Sequence, residues 1–109
     1  MDDETVRRIA GNEGAFRNVN ESLRAGKGLA DAAKRFPFRC ECGVLGCNRL
    51  IELTVPEYEA VRAHPTRFAI VDGHELTEAE RVVERRERYS VVEKESTGAV
   101  VAAQTDPRA

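Results

Sequence analysis

Cys40-Glu41-Cys42-Gly43-Val44-Leu45-Gly46-Cys47 places three cysteines within eight residues, and the chain of 109 residues has no others. An odd number cannot pair completely as disulfides, and a reducing compartment keeps such thiols free. Single buried cysteines serve as small apolar residues, but three crowded beside two glycines do not fit that use. A metal fits better. Cys40 and Cys42 stand two apart, so on an extended chain their side chains point the same way, and Gly43 and Gly46 let the backbone turn back to deliver Cys47.

Thiolate and imidazole ligands in a set of four suit tetrahedral zinc, and a closed Cys3His set is a structural site. The fourth ligand is expected to be His74, in Val71-Asp72-Gly73-His74, where a glycine after an apolar run marks a tight turn. His64 is the competing histidine, but it precedes Pro65 at a helix C-terminus, where an imidazole can meet the last carbonyls instead. Asp72 and Glu75 are reserve donors. Arg39, Arg49 and the N–H groups of the glycine turns are expected to stabilise the sulfurs. Zinc is preferred to iron on ligand type and the lack of a redox motif.

A chain this short forms one domain with a modest core, which a bound ion would reinforce. Apolar residues make up 41% and charged residues 33%, a globular but well-solvated composition. The apolar run Ala99–Ala103 is too short to span a bilayer, and the acidic start Met1–Glu4 carries no signal-peptide core, so a cytoplasmic protein without a membrane role is expected. Net charge is −2, distributed as +2 over residues 1–39, −3 over 40–75 and −1 over the rest. A dedicated nucleic-acid binder would carry a basic stripe, because phosphate neutralisation supplies most of its affinity.

Helical spacing of Val6, Ile9, Ala10, Phe16, Val19 and Leu23 predicts a helix that is firm over 12–25 after a frayed lead-in, because Gly11-Asn12-Glu13-Gly14 interrupts the pattern. Gly26-Lys27-Gly28 stops it; without a preceding strand or P-loop spacing it is no phosphate loop. A second short helix is expected over 29–36. Pro37 ends the helical region, 38–42 reads as a strand, and 49–54 returns beside it, so the cysteines fall on a hairpin knuckle. Thr54, Pro56 and Glu57 form a helix start for 56–63, with Tyr58 and Val61 buried. Residues 67–71 read as a strand, 77–88 as a helix capped by Thr77 with a salt-bridged Glu84/Arg88 face, and 89–94 as a last strand. The fold class is therefore α+β: a small, mainly antiparallel sheet with a zinc knuckle, flanked by an N-terminal helix and two further helices. The expected organisation is a flexible lead-in over 1–11, one zinc-binding domain over 12–95 and a loose tail over 96–109.

The succession Phe38-Arg39-Cys40-Glu41-Cys42, Cys47, Ile51-Glu52-Leu53-Thr54, Glu57-Tyr58-Glu59-Ala60-Val61-Arg62, Arg67-Phe68, Gly73-His74-Glu75, Glu80-Arg81-Val82-Val83-Glu84-Arg85 and Tyr89–Lys94 resembles a family of small actinobacterial zinc-binding proteins. The resemblance covers roughly residues 12–95 and implies a paired C-x-C-x4-C and Gly-His arrangement, but no biochemical role. Asp72 departs from it, standing where a proline would be expected.

Three functions are weighed. The leading one is a non-enzymatic module whose single structural zinc holds the fold and which acts as a regulator or adaptor through a protein partner, engaged by the N-terminal helix or the charged segment Arg81–Arg88. The second is a nucleic-acid-associated zinc knuckle presenting Arg39 and Arg49 to phosphates. The third is a metalloenzyme or iron-sulfur redox protein, which would need an open metal position and a base such as Glu41 or Glu75.

Overall fold

The computed structural model describes residues 2–28, 31–76 and 78–108. Its elements are α1 (Asp3–Ala25), β1 (Arg35–Arg39), β2 (Leu50–Thr54), α2 (Val55–Arg62), β3 (Arg67–Ile70), β4 (Glu80–Arg85), β5 (Ser90–Lys94) and α3 (Ser96–Gln104). The expected α+β class is present, with the strands divided between two antiparallel sheets, β1-β2 and β3-β5-β4. Phe38 faces Ile51 across the first sheet, and Phe68 faces Val92 across the second. Among the described residues no helix is long and apolar enough to cross a membrane.

Two apolar clusters form the core. One gathers Phe38, Ile51, Leu53, Tyr58, Val61, Ala69, Tyr89 and Val91, the other Cys40, Cys42, Phe68, Ile70, Val92 and Ala102. The Phe38 and Tyr58 rings stack at 4.6 Å and bind α2 to β1. The start of α2 follows the expected capping chemistry: Glu57 N donates to Thr54 Oγ1 at 3.2 Å, and Thr54 N donates to Glu57 Oε1 at 2.8 Å.

The N-terminal helix departs from expectation. The anticipated lead-in over 1–11 is helical from Asp3, capped by Asp2 Oδ1 accepting from Thr5 N at 2.7 Å, and Gly11 and Gly14 lie inside the helix. Gly14 has a packing reason: a Cβ there would stand 3.0 Å from Thr105 Oγ1, at the end of α3. The buried stripe is Ala10, Glu13, Gly14, Arg17 and Asn20, with Phe16 beside it, while Val19 and Leu23 from the expected apolar face are exposed. The stripe is polar because each side chain meets a specific partner. Arg17 donates to Pro65 O at 2.7 Å and to Ala102 O at 2.9 Å, and its guanidinium covers the Phe68 ring at 4.6 Å. Asn20 donates from Nδ2 to Arg39 O and accepts at Oδ1 from Arg39 N, engaging both backbone groups of one residue on the outer edge of β1.

Three further expectations are corrected. The short helix over 29–36 is not formed in its described part: Asp31–Lys34 turns, with Ala33 N donating to Asp31 Oδ1, and β1 begins at Arg35. Leu29 and Ala30 lie outside the described residues. The helix over 77–88 is instead β4, which pairs with β5 through a bulge between Val82 and Glu84. Val82 and Val83 pack against different clusters, as consecutive strand residues do, and Arg88 pairs with Glu57 rather than Glu84. The proposed cap Thr77 is also outside the described residues. Finally, the tail over 96–109 contains α3, which buries Ala102 against the Cys40/Phe68 cluster. Its end is tied down by Asp106 on Arg62 and by Arg108 on Glu21 and Glu59.

Candidate metal centre

Strand pairing places the first cysteine. Cys40 N donates to Arg49 O at 3.0 Å, continuing the β1-β2 ladder, and Glu41 N donates to Ala69 O at 2.9 Å, attaching the next residue to β3. The chain thus passes from one sheet to the other within two residues. The Glu41 side chain completes the crossing: Oε1 accepts from Ala69 N and Oε2 from Asn20 Nδ2, each at 2.9 Å. Burial pushes this carboxyl up to about 7, against the lowering pull of the Asn20 and Ala69 hydrogen bonds.

The knuckle then turns on two glycines in the left-handed region, Gly43 at φ +77° and Gly46 at φ +91°. Gly43 also lies hard against α1, where a Cβ would stand 2.6 Å from Glu13 Cγ and 2.8 Å from Ile9 O. Asn12 holds this turn by donating to Gly43 O at 3.1 Å, and Arg39, stacked 3.8 Å over the Phe16 ring, donates to Cys47 O at 3.0 Å. The last contributor is the turn after β3, where Gly73 has φ +91° and His74 N donates to Val71 O at 3.0 Å.

These turns bring Cys40, Cys42, Cys47 and His74 together, their ligand atoms all within 4.8 Å of one another. His74 Nδ1 lies 3.6 Å from Cys40 Sγ and 3.8 Å from Cys47 Sγ. A tetrahedral zinc with bonds of about 2.3 Å to sulfur and about 2.0 Å to nitrogen has sulfur–nitrogen edges of about 3.5 Å, so the spacing fits such an ion. His64 lies outside the cluster, at the end of α2. Asp72 and Glu75 are engaged elsewhere: both accept from Arg85, and Asp72 also accepts from Ser90 Oγ.

Cys40 Sγ accepts a backbone N–H from Val71 at 3.2 Å, and a donor aimed at sulfur favours the thiolate. The N–H groups of Cys42, Val44 and Arg49 act in the same direction on Cys40, Cys42 and Cys47 respectively. In the protein alone burial wins at the two innermost positions, raising the Cys40 thiol to about 12 and lifting Cys42 as well. At half-buried Cys47 burial also opposes ionisation, but the Arg49 N–H, the neighbouring thiols and Arg39 outweigh it and lower the value. The four donors stand close enough to hold a metal ion, and a divalent ion bound there would reverse the burial penalty on the thiolates. A cleft of about 310 Å³ borders the cluster, lined by Cys42, Val44, Cys47, Gly73, His74, Glu75 and Leu76.

Sequence reasoning anticipated the four residues that come together but missed those that brace them, Asn12, Asn20 and Glu41. The available signal was helical spacing in α1: Glu13, Arg17 and Asn20 follow one another at intervals of four and three, a polar row that reads as solvent-facing until its partners are known. No protein-family model, curated protein or solved structure matches this chain.

Proposed function

We propose that this chain is a small non-enzymatic zinc-binding module, of a kind with the actinobacterial proteins it resembles, in which one structural zinc on Cys40, Cys42, Cys47 and His74 fixes a surface for a protein partner. The observation that carries this reading is the convergence of the four donors, their ligand atoms all within 4.8 Å of one another, with the Val71 N–H aimed at Cys40 Sγ. Four protein ligands close a tetrahedral shell, which is the structural rather than the catalytic arrangement. Neither expected base is free to act: Glu41 is fully buried on Asn20 and Ala69, and Glu75 accepts from Arg85. The knuckle tip supports a contact role, because Leu45 is 74% exposed and Val44 46% exposed beside the cleft.

The test is native mass spectrometry with elemental analysis on the wild type and His74→Ala, with thermal melts in the presence and absence of a chelator. One zinc per chain, weakened by the substitution, with a chelator-induced loss of stability is the expected result. Iron with sulfide, or zinc indifferent to His74, would overturn it.

A second reading draws on the charge pattern. Each cation from Arg62 onward has a carboxylate within reach, whereas Lys27, Lys34, Arg35 and Arg49 have none among the described residues. Lys27 and Lys34 both approach the Phe36 ring, at 4.9 and 5.3 Å. This basic, aromatic corner supports a nucleic-acid partner, for which binding must weaken steeply as salt rises. A flat salt dependence would exclude it.

A further inference from the structure

We propose that the metal centre is a peroxide-sensitive clasp, in which oxidation joins Cys42 to Cys47 and releases the ion. The proposal rests on the zinc reading above and adds a mode of regulation to it.

Access differs among the three sulfurs. Cys40 and Cys42 are both fully buried and Cys47 is half-buried, but Cys42 and Cys47 line the cleft and Cys40 does not. A small hydroperoxide entering that cleft therefore meets Cys47 first, with Cys42 behind it on the same wall. Their sulfurs lie within 4.8 Å of each other. Between them Gly46 is left-handed with open space around it, so the Cys47 end of the loop has the latitude to let two sulfurs close from ligand spacing to a bond of about 2.05 Å. Cys40 has no such freedom. Its own N–H is bonded to Arg49 O just before β2, that of Glu41 to Ala69 O in β3, and its sulfur accepts from Val71 N.

The chemistry balances with the peroxide as the only added reagent. The Cys47 thiolate attacks one peroxide oxygen, the O–O bond breaks, and a sulfenic acid and hydroxide result. The Cys42 thiolate then attacks the Cys47 sulfur, the S–S bond forms, the S–O bond breaks and a second hydroxide leaves. Two thiolates have supplied two electrons, and both hydroxides take protons from solvent. Zinc changes no oxidation state; it loses two of its four ligands.

The consequence follows from where the ligands reside. Three come from the β1-β2 connection and His74 from the segment between β3 and β4, so the ion ties the two sheets together beside the cleft. Losing it frees the His74 turn from the knuckle and alters the surface carrying Val44, Leu45 and Leu76.

The experiment uses the full chain loaded with zinc and treated with hydrogen peroxide, followed by a chromogenic zinc indicator, a count of free thiols under denaturing conditions and peptide mapping. Zinc release, a fall from three free thiols to one, a mapped Cys42–Cys47 disulfide and recovery of zinc binding after dithiothreitol are the expected results. Peptide mapping of the wild type decides which pair of sulfurs has joined. Retained zinc with three reactive thiols, a disulfide that includes Cys40, or release by sulfinic acid formation alone would overturn the proposal. A chain that carries no zinc before treatment would overturn the metal reading itself.

Discussion

Replacing Glu13 by glutamine should flatten the dependence of stability on pH. Glu13, Glu80 and Lys94 are all fully buried, and Lys94 Nζ lies 2.9 Å from Glu13 Oε1 and 3.0 Å from Glu80 Oε2. Two carboxylates share one ammonium group, so without an additional proton the site would carry a buried negative charge. Burial, reinforced by Glu80 against the opposing attraction of Lys94, raises the Glu13 carboxyl from 4.5 to about 8. Because the native-state value is the higher one, the folded chain holds a proton that the unfolded chain releases across this interval. Stability is therefore lost as pH rises from about 4.5 towards 8. Integrating the difference between pH 5 and pH 8 at about 1.4 kcal/mol per unit yields a loss on the order of 3 kcal/mol from this group. Glu13→Gln keeps the shape and a hydrogen-bonding head but cannot ionise. Urea unfolding of both proteins at pH 5 and pH 8, at one fixed zinc concentration, measures the effect, and metal-ligand titration cancels in the comparison. The variant should lose about 3 kcal/mol less than the wild type over this range, with unchanged m-values. Parallel profiles for the two proteins would refute the argument that Glu13 is the proton store.

Cys42→Ser should lower both metal content and thermal stability together, measured by elemental analysis and melting, while Glu75→Gln, which perturbs a carboxylate engaged by exposed Arg85, should leave both near wild type. Gly43→Ala should cost more than about 2 kcal/mol in urea unfolding, because φ is +77° and the new Cβ would meet Ile9 O at 2.8 Å; a cost below about 1 kcal/mol would mean that α1 yields there. Tyr58 is buried and its hydroxyl meets no partner among the described residues, so Tyr58→Phe should be neutral or stabilising by about 1 kcal/mol, and a clear destabilisation would count against this account of the site.

The Cys40, Cys42, Cys47 and His74 cluster was legible in the sequence because the relevant information is local: residue type, a spacing of two on extended chain, and glycines where the backbone must turn. The start of α2 was legible for the same reason, Thr54 and Glu57 being three apart. The segment around Glu80–Arg85 was not, because Leu76, Ala79 and Val83 satisfy a helical interval while Val82 and Val83 suit a strand equally well; pairing with β5 and burial of Glu80 on Lys94 decide the matter. The buried face of α1 was misread for a different reason. Pattern reading seeks apolar residues to bury, whereas here Glu13, Arg17 and Asn20 are buried because Lys94, two carbonyls and the Arg39 backbone receive them. The end of the chain looked loose from its small residues, but the same small residues permit close packing, as Gly98 does beneath Lys94 Cε.

The Asn20 amide has a wider consequence. By taking both the N–H and the C=O of Arg39, it behaves as a strand one residue long, supplied by a helix. A passing extended segment seeking to add to β1 at that point finds its hydrogen bonds already satisfied, and the bulk of α1 stands in its path. The first sheet is thus closed on one side without a third strand, a safeguard against intermolecular sheet growth that requires one carboxamide at the right height on a helix.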